Sequence, residues 1–283
     1  MATTHRSHTD YTIGWICALP VEMAASKAML RDNTSTSASA PNDYNVYTLG
    51  ELHDCLLVAT HMLHTFPELR FTLLVGVGGG VPPPGGRDPD IRLGDIAVSK
   101  PTSTFGGVVQ YDHGKAITGN RFQRTGALNK PPSILLAAIS HLKADHMIGD
   151  NHIPRHLENI MARFTKRIRP YVPGSEHDNT LPRPSRSSNN PHIHYGLIAS
   201  GNQVIKDALM RDRIVDDLGG AILCFEMEAA GLMNDFKCLL YAAAAAAAYA
   251  KELLSVIPVV QIQTSPNAKT EGVYLPFYYI SLD

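Results

Sequence analysis

With 283 residues, 44% of them hydrophobic and 18% charged, and a formal net charge of −1, the chain has the makeup of a globular protein with a core of ordinary size. No basic surplus points to nucleic acid, and the four cysteines, Cys17, Cys55, Cys224 and Cys238, show no Cys-x-x-Cys spacing. The N-terminus is rich in Thr and His where a secretory leader would be apolar, and the apolar run from Leu239 to Ala250 is shorter than the roughly 18 residues a membrane helix needs. A cytoplasmic protein that neither spans a membrane nor binds nucleic acid is the expectation.

Residues 11–19 form a continuous run of apolar β-formers, the pattern of a strand buried on both faces. Pro20 suits the first position of a helix, with Glu22 in its first turn, and the helix is expected to reach about Leu30. Residues 44–49 and 55–59 read as two strands joined by a short turn, and 71–75 as a strand ending in Gly76-Val-Gly-Gly-Gly80 and a Pro/Gly loop. Short strands at 94–99 and 107–111 precede a helix at 133–146, where Ile134, Leu135, Ala138, Ile139 and Leu142 share one side.

Residues 170–193 lose periodicity and fill with Pro, Ser, Asn and charge, which marks a flexible surface insertion. Order is expected to resume as a strand at 195–200, a helix at 204–218, a strand at 221–225 and a helix at 226–236. The alanine tract within 241–254 has the highest helix propensity in the chain and predicts a closing helix. Strands alternating with helices on both sides of the insertion predict one α/β domain over residues 10–258 with a parallel or mixed sheet. The tail at 259–283 is aromatic and β-rich without a period.

Two segments draw attention as chemistry. Gly76, Gly78, Gly79 and Gly80 follow a strand, where backbone N–H groups can approach an anion or a sugar, although Val81 breaks the dinucleotide fingerprint. Phe225-Glu-Met-Glu-Ala-Ala-Gly231 places two acids at a strand-to-helix junction, the edge of the sheet at which α/β proteins bind ligands. The plainer explanation for Glu226 and Glu228 is a first-turn complement to a helix dipole. His61 with His64 and His192 with His194 are short-spaced pairs with no evident third ligand, so no metal site is expected.

These segments, with Ile13-Gly-Trp-Ile-Cys-Ala-Leu-Pro-Val-Glu22, Ile91-Arg-Leu-Gly-Asp-Ile-Ala-Val-Ser99 and Ile198-Ala-Ser-Gly-Asn-Gln203, occur in the order found in nucleoside phosphorylases and methylthioadenosine-type nucleosidases, which the chain resembles over residues 10–258. The wording of residues 100–111 resembles the fungal branch, in which the domain is often fused to nucleotide-binding oligomerisation modules or ankyrin repeats. The resemblance implies a three-layer α/β domain whose mixed, partly barrel-like sheet is flanked by helices. It also implies cleavage of the N-glycosidic bond of a purine nucleoside by phosphate or water, with no cofactor, phosphate being a co-substrate for a phosphorylase, and a homo-oligomeric assembly.

By the same resemblance Glu228 binds the ribose hydroxyls, Met227 packs against the sugar with Phe225 and Glu226 beside it, and Glu22 orients the attacking water. Ser200, Gly201, Asn202 and Gln203 match the strand end that lines the base pocket, and Gly78 and Gly79 the loop beside phosphate or ribose. Two departures predict impaired catalysis. The family's aspartate-bearing loop should follow Lys237, yet no aspartate occurs before Asp283, and the turn and helix expected after Thr60 shrink to residues 61–67. A nucleoside-cleaving enzyme with a weakened site and a non-catalytic nucleoside-sensing or interaction module are both compatible with this pattern.

Overall fold

The structure, a computed structural model, describes residues 7–34, 48–51, 55–58, 65–81, 90–118, 121–164, 186, 188–203, 205–226, 236–268 and 274–281, with backbone alone at 31–34, 48–51, 55–58, 116, 121, 236–238 and 274–281. The chain enters as β1 (Ile13–Ile16) and α1 (Pro20–Met29), with proline in the first turn. An antiparallel ribbon follows, made of β2 (Arg31–Thr34), β3 (Thr48–Glu51) and β4 (Cys55–Val58), and then the long strand β5 (Phe71–Gly80). The glycines placed by the sequence in a loop after the strand instead belong to β5 itself. Val75 and Val77 alternate with Gly76 and Gly78, and the pairing partners on either side keep the backbone extended to Gly80.

Next come β6 (Ile96–Ser99), β7 (Val108–Gln110), and a hairpin that the sequence did not announce, β8 (Gly114–Ile117) with β9 (Arg121–Arg124). Helix α2 (Ser133–Met147) buries Leu135, Ala138, Ile139 and Leu142, four of the five residues the spacing put on one side. A second helix, α3 (Ile153–Phe164), follows it closely. After it come β10 (Ile193–Ser200), α4 (Ala208–Asp217), capped by the Asp207 carboxylate on the N–H groups of Leu209 and Met210, and β11 (Ile222–Phe225). Helix α5 (Phe236–Ser255) carries the alanine tract, and α6 (Val259–Thr264) and β12 (Tyr274–Ser281) close the chain.

One mixed sheet runs in the order β11-β10-β6-β12-β5-β1-β4-β3-β2, with β7 beside β10. β11 also pairs antiparallel with the end of β5, Cys224 opposite Gly80 and Phe225 opposite Gly79, so part of the sheet curls round and closes on itself. The tail after Pro258 therefore supplies a central strand: β12 lies parallel to β5 over eight residues and antiparallel to β6. Helix α5 packs on this sheet and against α1, α2 and α3. Ala244 to Ala248 are fully buried there, because only methyl groups let a helix approach both a sheet and three helices. Val81, Val109, Leu197, Ile205, Val215, Leu218 and Phe225 form a second cluster with α4, giving helices on both faces of the sheet. No helix among the described residues is long and apolar enough to cross a membrane.

Candidate functional site

Glu22 is 4% exposed, yet both of its carboxylate oxygens are hydrogen-bonded. Pro20 sets the start of α1, and the first turn swings Glu22 back over the end of β1, where Oε2 accepts the N–H groups of Ala18 and Leu19 at 2.8 Å each. Oε1 accepts the N–H of Val77 at 2.8 Å, which ties the helix to β5. Burial raises the carboxyl's affinity for a proton, and the three backbone N–H groups pull in the opposite direction without cancelling it. The acid is therefore a stronger proton acceptor than a solvated glutamate, held at a fixed position.

The carboxylate lies on the Gly76 side of β5: a Cβ added to Gly76 would stand 2.8 Å from Oε1. Strand alternation puts Gly78 and Gly80 on that same face, while Val75 and Val77 point into the core beneath α5. The result is a stretch of bare backbone with Glu22 at one end. About three residues on, roughly 10 Å at 3.3 Å per residue, Gly79 meets Phe225.

Three chain segments converge at that far end. Phe225 pairs with Ala199 on one side and Gly79 on the other, and the Glu226 N–H donates to the Ala199 carbonyl at 2.9 Å. Ser200, the last residue of β10, follows directly. The structure thus brings together Gly78, Gly79, Ser200, Phe225 and Glu226, with Glu22 across the glycine stretch. Gly201, Asn202 and Gln203 continue from Ser200 as a short loop. Met227 and Glu228 lie outside the described residues, as do His61 and His64.

One expected feature is corrected by the strand pairing. The backbone of Gly79 is matched by both β11 and β12, that of Gly80 by β11 and that of Gly78 by β12, so these glycines belong to ladders on either side and do not form a free anion-cradling loop. A phosphate nest is not built there.

Sequence reasoning passed over two residues at this site. The Tyr111 hydroxyl donates to the Gln203 carbonyl at 2.9 Å, and its ring meets Phe225 edge-on at 5.5 Å. Asp112 Oδ2 accepts the Asn202 N–H at 2.7 Å. The signal was a Gln-Tyr-Asp run closing a short strand, where side chains reach a neighbouring loop.

His192 and His194 serve a different end of the sheet. Buried Asp95 receives the Arg186 guanidinium on both oxygens, at 2.7 and 2.8 Å, together with His194 Nε2 at 2.9 Å and the N–H groups of Arg92 and His192. Burial pushes its carboxyl up, but His194 and Arg186 outweigh it and hold the value down at about 2. This cluster pins Arg186, from the Pro- and Ser-rich stretch, to the starts of β6 and β10. No group among the described residues could hold a metal ion.

A mixed sheet that partly closes on itself, with helices on both faces, is the nucleoside phosphorylase/nucleosidase fold, and the chain has that fold. Among solved structures it is similar to the 5'-methylthioadenosine/S-adenosylhomocysteine nucleosidase of Helicobacter pylori, one mutant of which holds 5'-methylthioadenosine in its active site (TM-score 0.50, 13% identity, 96% of this chain and 85% of that one). It is also similar to the corresponding nucleosidase of Streptococcus pneumoniae, solved with a transition-state inhibitor (TM-score 0.50, 16% identity, 96% and 85%). In sequence it is 39% identical, over 299 residues, to a nucleotide-binding leucine-rich repeat (NLR)-like protein of Hyaloscypha variabilis. That match takes in 88% of this chain and 29% of the relative, so the chain spans under a third of the relative's length. No family model matches the sequence.

Proposed function

We propose that the chain is a purine nucleosidase-type domain that uses water, with turnover weakened by the want of a base-protonating acid. The observation that carries this is the Glu22 carboxylate, held by three backbone N–H groups on the bare face of Gly76, with Ser200, Phe225 and Glu226 at the far end of the same glycine stretch. Cleavage of an N-glycosidic bond builds positive charge on the ribose and needs a nucleophile on its exposed face. Glu22 can accept a proton from water there through Oε1, which takes only the Val77 N–H and retains a lone pair, whereas Oε2 is filled by Ala18 and Leu19, and burial makes the carboxyl more basic. Flat glycine backbone accommodates a sugar ring, and the strand pairing of Gly78, Gly79 and Gly80 gives no support to phosphate as the attacking group. By resemblance Glu228 and Met227 complete the ribose contacts, and residues 200–203 border the base. Weakened turnover rests on α5: it begins at Phe236, so Lys237 to Leu240 lie in a helix where the family carries its aspartate loop.

The test is release of free base from adenosine, inosine and 5'-methylthioadenosine, with and without phosphate. Slow release independent of phosphate is expected, falling by about 10²-fold or more in Glu22→Gln and likewise lost in Glu228→Ala. Because the Glu22 carboxyl is shifted upward, the rate should decline on the acid side at a pH above the ordinary glutamate range. Release that requires phosphate, or survives Glu22→Gln, would exclude the mechanism.

A second reading, a nucleoside-sensing or interaction module, is favoured by the same helical segment 237–240 and by the NLR-like relative. It predicts nucleoside binding in calorimetry with no base released.

A further inference from the structure

Tyr111 and Asp112 stand at the end of β7, one strand away from the proposed ligand, and are fastened to the loop that follows β10 at several points. The Tyr111 N–H donates to the Ser200 carbonyl at 3.0 Å, its hydroxyl to the Gln203 carbonyl at 2.9 Å, and Asp112 Oδ2 accepts the Asn202 N–H at 2.7 Å. Between these anchors Gly201 lets the tyrosine ring lie flush on the backbone: a Cβ there would come within 2.3 Å of the ring. The same ring meets Phe225 edge-on at 5.5 Å. One side chain therefore gauges the distance between the two segments that border the proposed base and ribose positions.

Asp112 adds a second observation. Its other oxygen, Oδ1, is buried with no hydrogen-bond partner among the described residues. A buried unpaired carboxylate oxygen is costly, and such groups are concentrated where function requires them. An uncharged acceptor would hold the Asn202 N–H at lower desolvation cost. The charge makes the bond to that N–H stronger and shorter than a neutral one, and Gly201 to Gln203, without regular structure of their own, need such a tie to keep one shape.

We infer that Tyr111 and Asp112 are a positioning pair: they hold residues 200–203 in the conformation that receives the base, and so set affinity for the nucleoside without touching it. The inference rests on the nucleosidase-type reading of the site but concerns residues outside the proposed chemistry. It differs from a purely structural role in what it predicts. Loosening the loop should weaken binding while leaving the chemistry of a bound substrate at Glu22 intact, so KM should rise and kcat hold.

The experiment compares wild type, Asp112→Ala, Asp112→Asn and Tyr111→Phe. Each is assayed by calorimetry with adenosine, inosine and 5'-methylthioadenosine, by base release, and by hydrogen–deuterium exchange of the peptide containing residues 200–203. Asp112→Ala should raise Kd and KM about tenfold, keep kcat within about twofold, and speed exchange of the loop amides. Asp112→Asn, which retains an acceptor, should recover most of the affinity, and Tyr111→Phe should fall between. Unchanged exchange in Asp112→Ala overturns the inference, and so does faster exchange with unchanged affinity. If the wild type binds none of the three nucleosides, the nucleosidase-type reading is what fails. Exchange then decides the positioning role alone, faster in Asp112→Ala supporting it and unchanged overturning it.

Discussion

Replacing Gly76 with alanine tests whether Glu22 and the glycine strand are shaped for one another. The new Cβ would lie 2.8 Å from Glu22 Oε1 and 3.3 Å from its Cδ, closer than such contacts allow. Backbone conformation is no obstacle, since Gly76 is not among the positive-φ residues, and alanine in a compatible position stabilises by about 0.4–1 kcal/mol through the unfolded chain. The carboxylate has to retreat, and it cannot do so while keeping Val77 N–H on the crowded oxygen. One hydrogen bond to a charged group is worth about 1.5–3 kcal/mol, so Gly76→Ala should cost about 1–2.5 kcal/mol after the chain-entropy gain is set against it. In a Glu22→Ala background the Cβ has room, and the same substitution should be neutral or slightly stabilising. Urea unfolding of the four proteins in the cycle should therefore show a coupling of about 1.5–3 kcal/mol. Additivity within about 0.5 kcal/mol, the scatter seen for independent sites, would refute the contact.

Three further outcomes are expected. Asp95, with its folded value held near 2 against an ordinary 3.8, contributes stability that is full above the unfolded value and is lost as pH falls through the folded one; about 2.5 kcal/mol should disappear between about pH 5 and pH 1. Urea midpoints of Asp95→Asn should be flatter over that window, and a wild-type midpoint that does not move there would contradict the assignment. Ala245→Leu inserts three heavy atoms at a fully buried helix position and should cost about 1–3 kcal/mol or more, read as a lowered melting temperature; an unchanged one would mean that α5 does not pack tightly on the sheet. A chain ending at Ala268 lacks β12 and leaves the facing edges of β5 and β6 unpaired in mid-sheet, so it should show no cooperative unfolding transition; a monodisperse product melting like the full chain would remove β12 from the fold.

Much of this fold was legible because its elements announce themselves locally. The Pro20 start of α1, the one-sided apolar spacing of α2 and the alanine run of α5 are signals that read the same in any context. The glycines misled because residues that are poor strand formers in isolation became a strand through pairing with β11 and β12, partners remote in sequence. For the same reason β12 went unseen: strand order is a tertiary fact, and nothing local to Tyr274–Ser281 announces β5 and β6 as its partners. At the candidate site, Glu22, Ser200 and Phe225 were singled out by motif wording. Tyr111 and Asp112 were not, since a tyrosine and an aspartate after a short strand look like ordinary loop residues until the loop they hold is seen beside them.

Closure of the sheet and the seating of Glu22 have one physical origin. Each glycine in a strand costs roughly 0.5–1 kcal/mol relative to alanine, so a cluster at the end of β5 must be offset elsewhere. Part of the compensation is backbone pairing: Gly79 and Gly80 pair with β11, which completes the curl of the sheet. On the other face, the missing side chain at Gly76 admits the Glu22 carboxylate to the Val77 N–H, and those missing at Gly78 and Gly80 leave the strand bare beside it. A substitution that filled this surface would also disturb the acid that serves it. The proposed hydrolytic chemistry thus depends on the same backbone contacts that close the fold, and loss of stability and loss of activity should appear together in Gly76→Ala and again in Glu22→Gln, whose amide turns an N–H donor toward a backbone N–H that the carboxylate accepts.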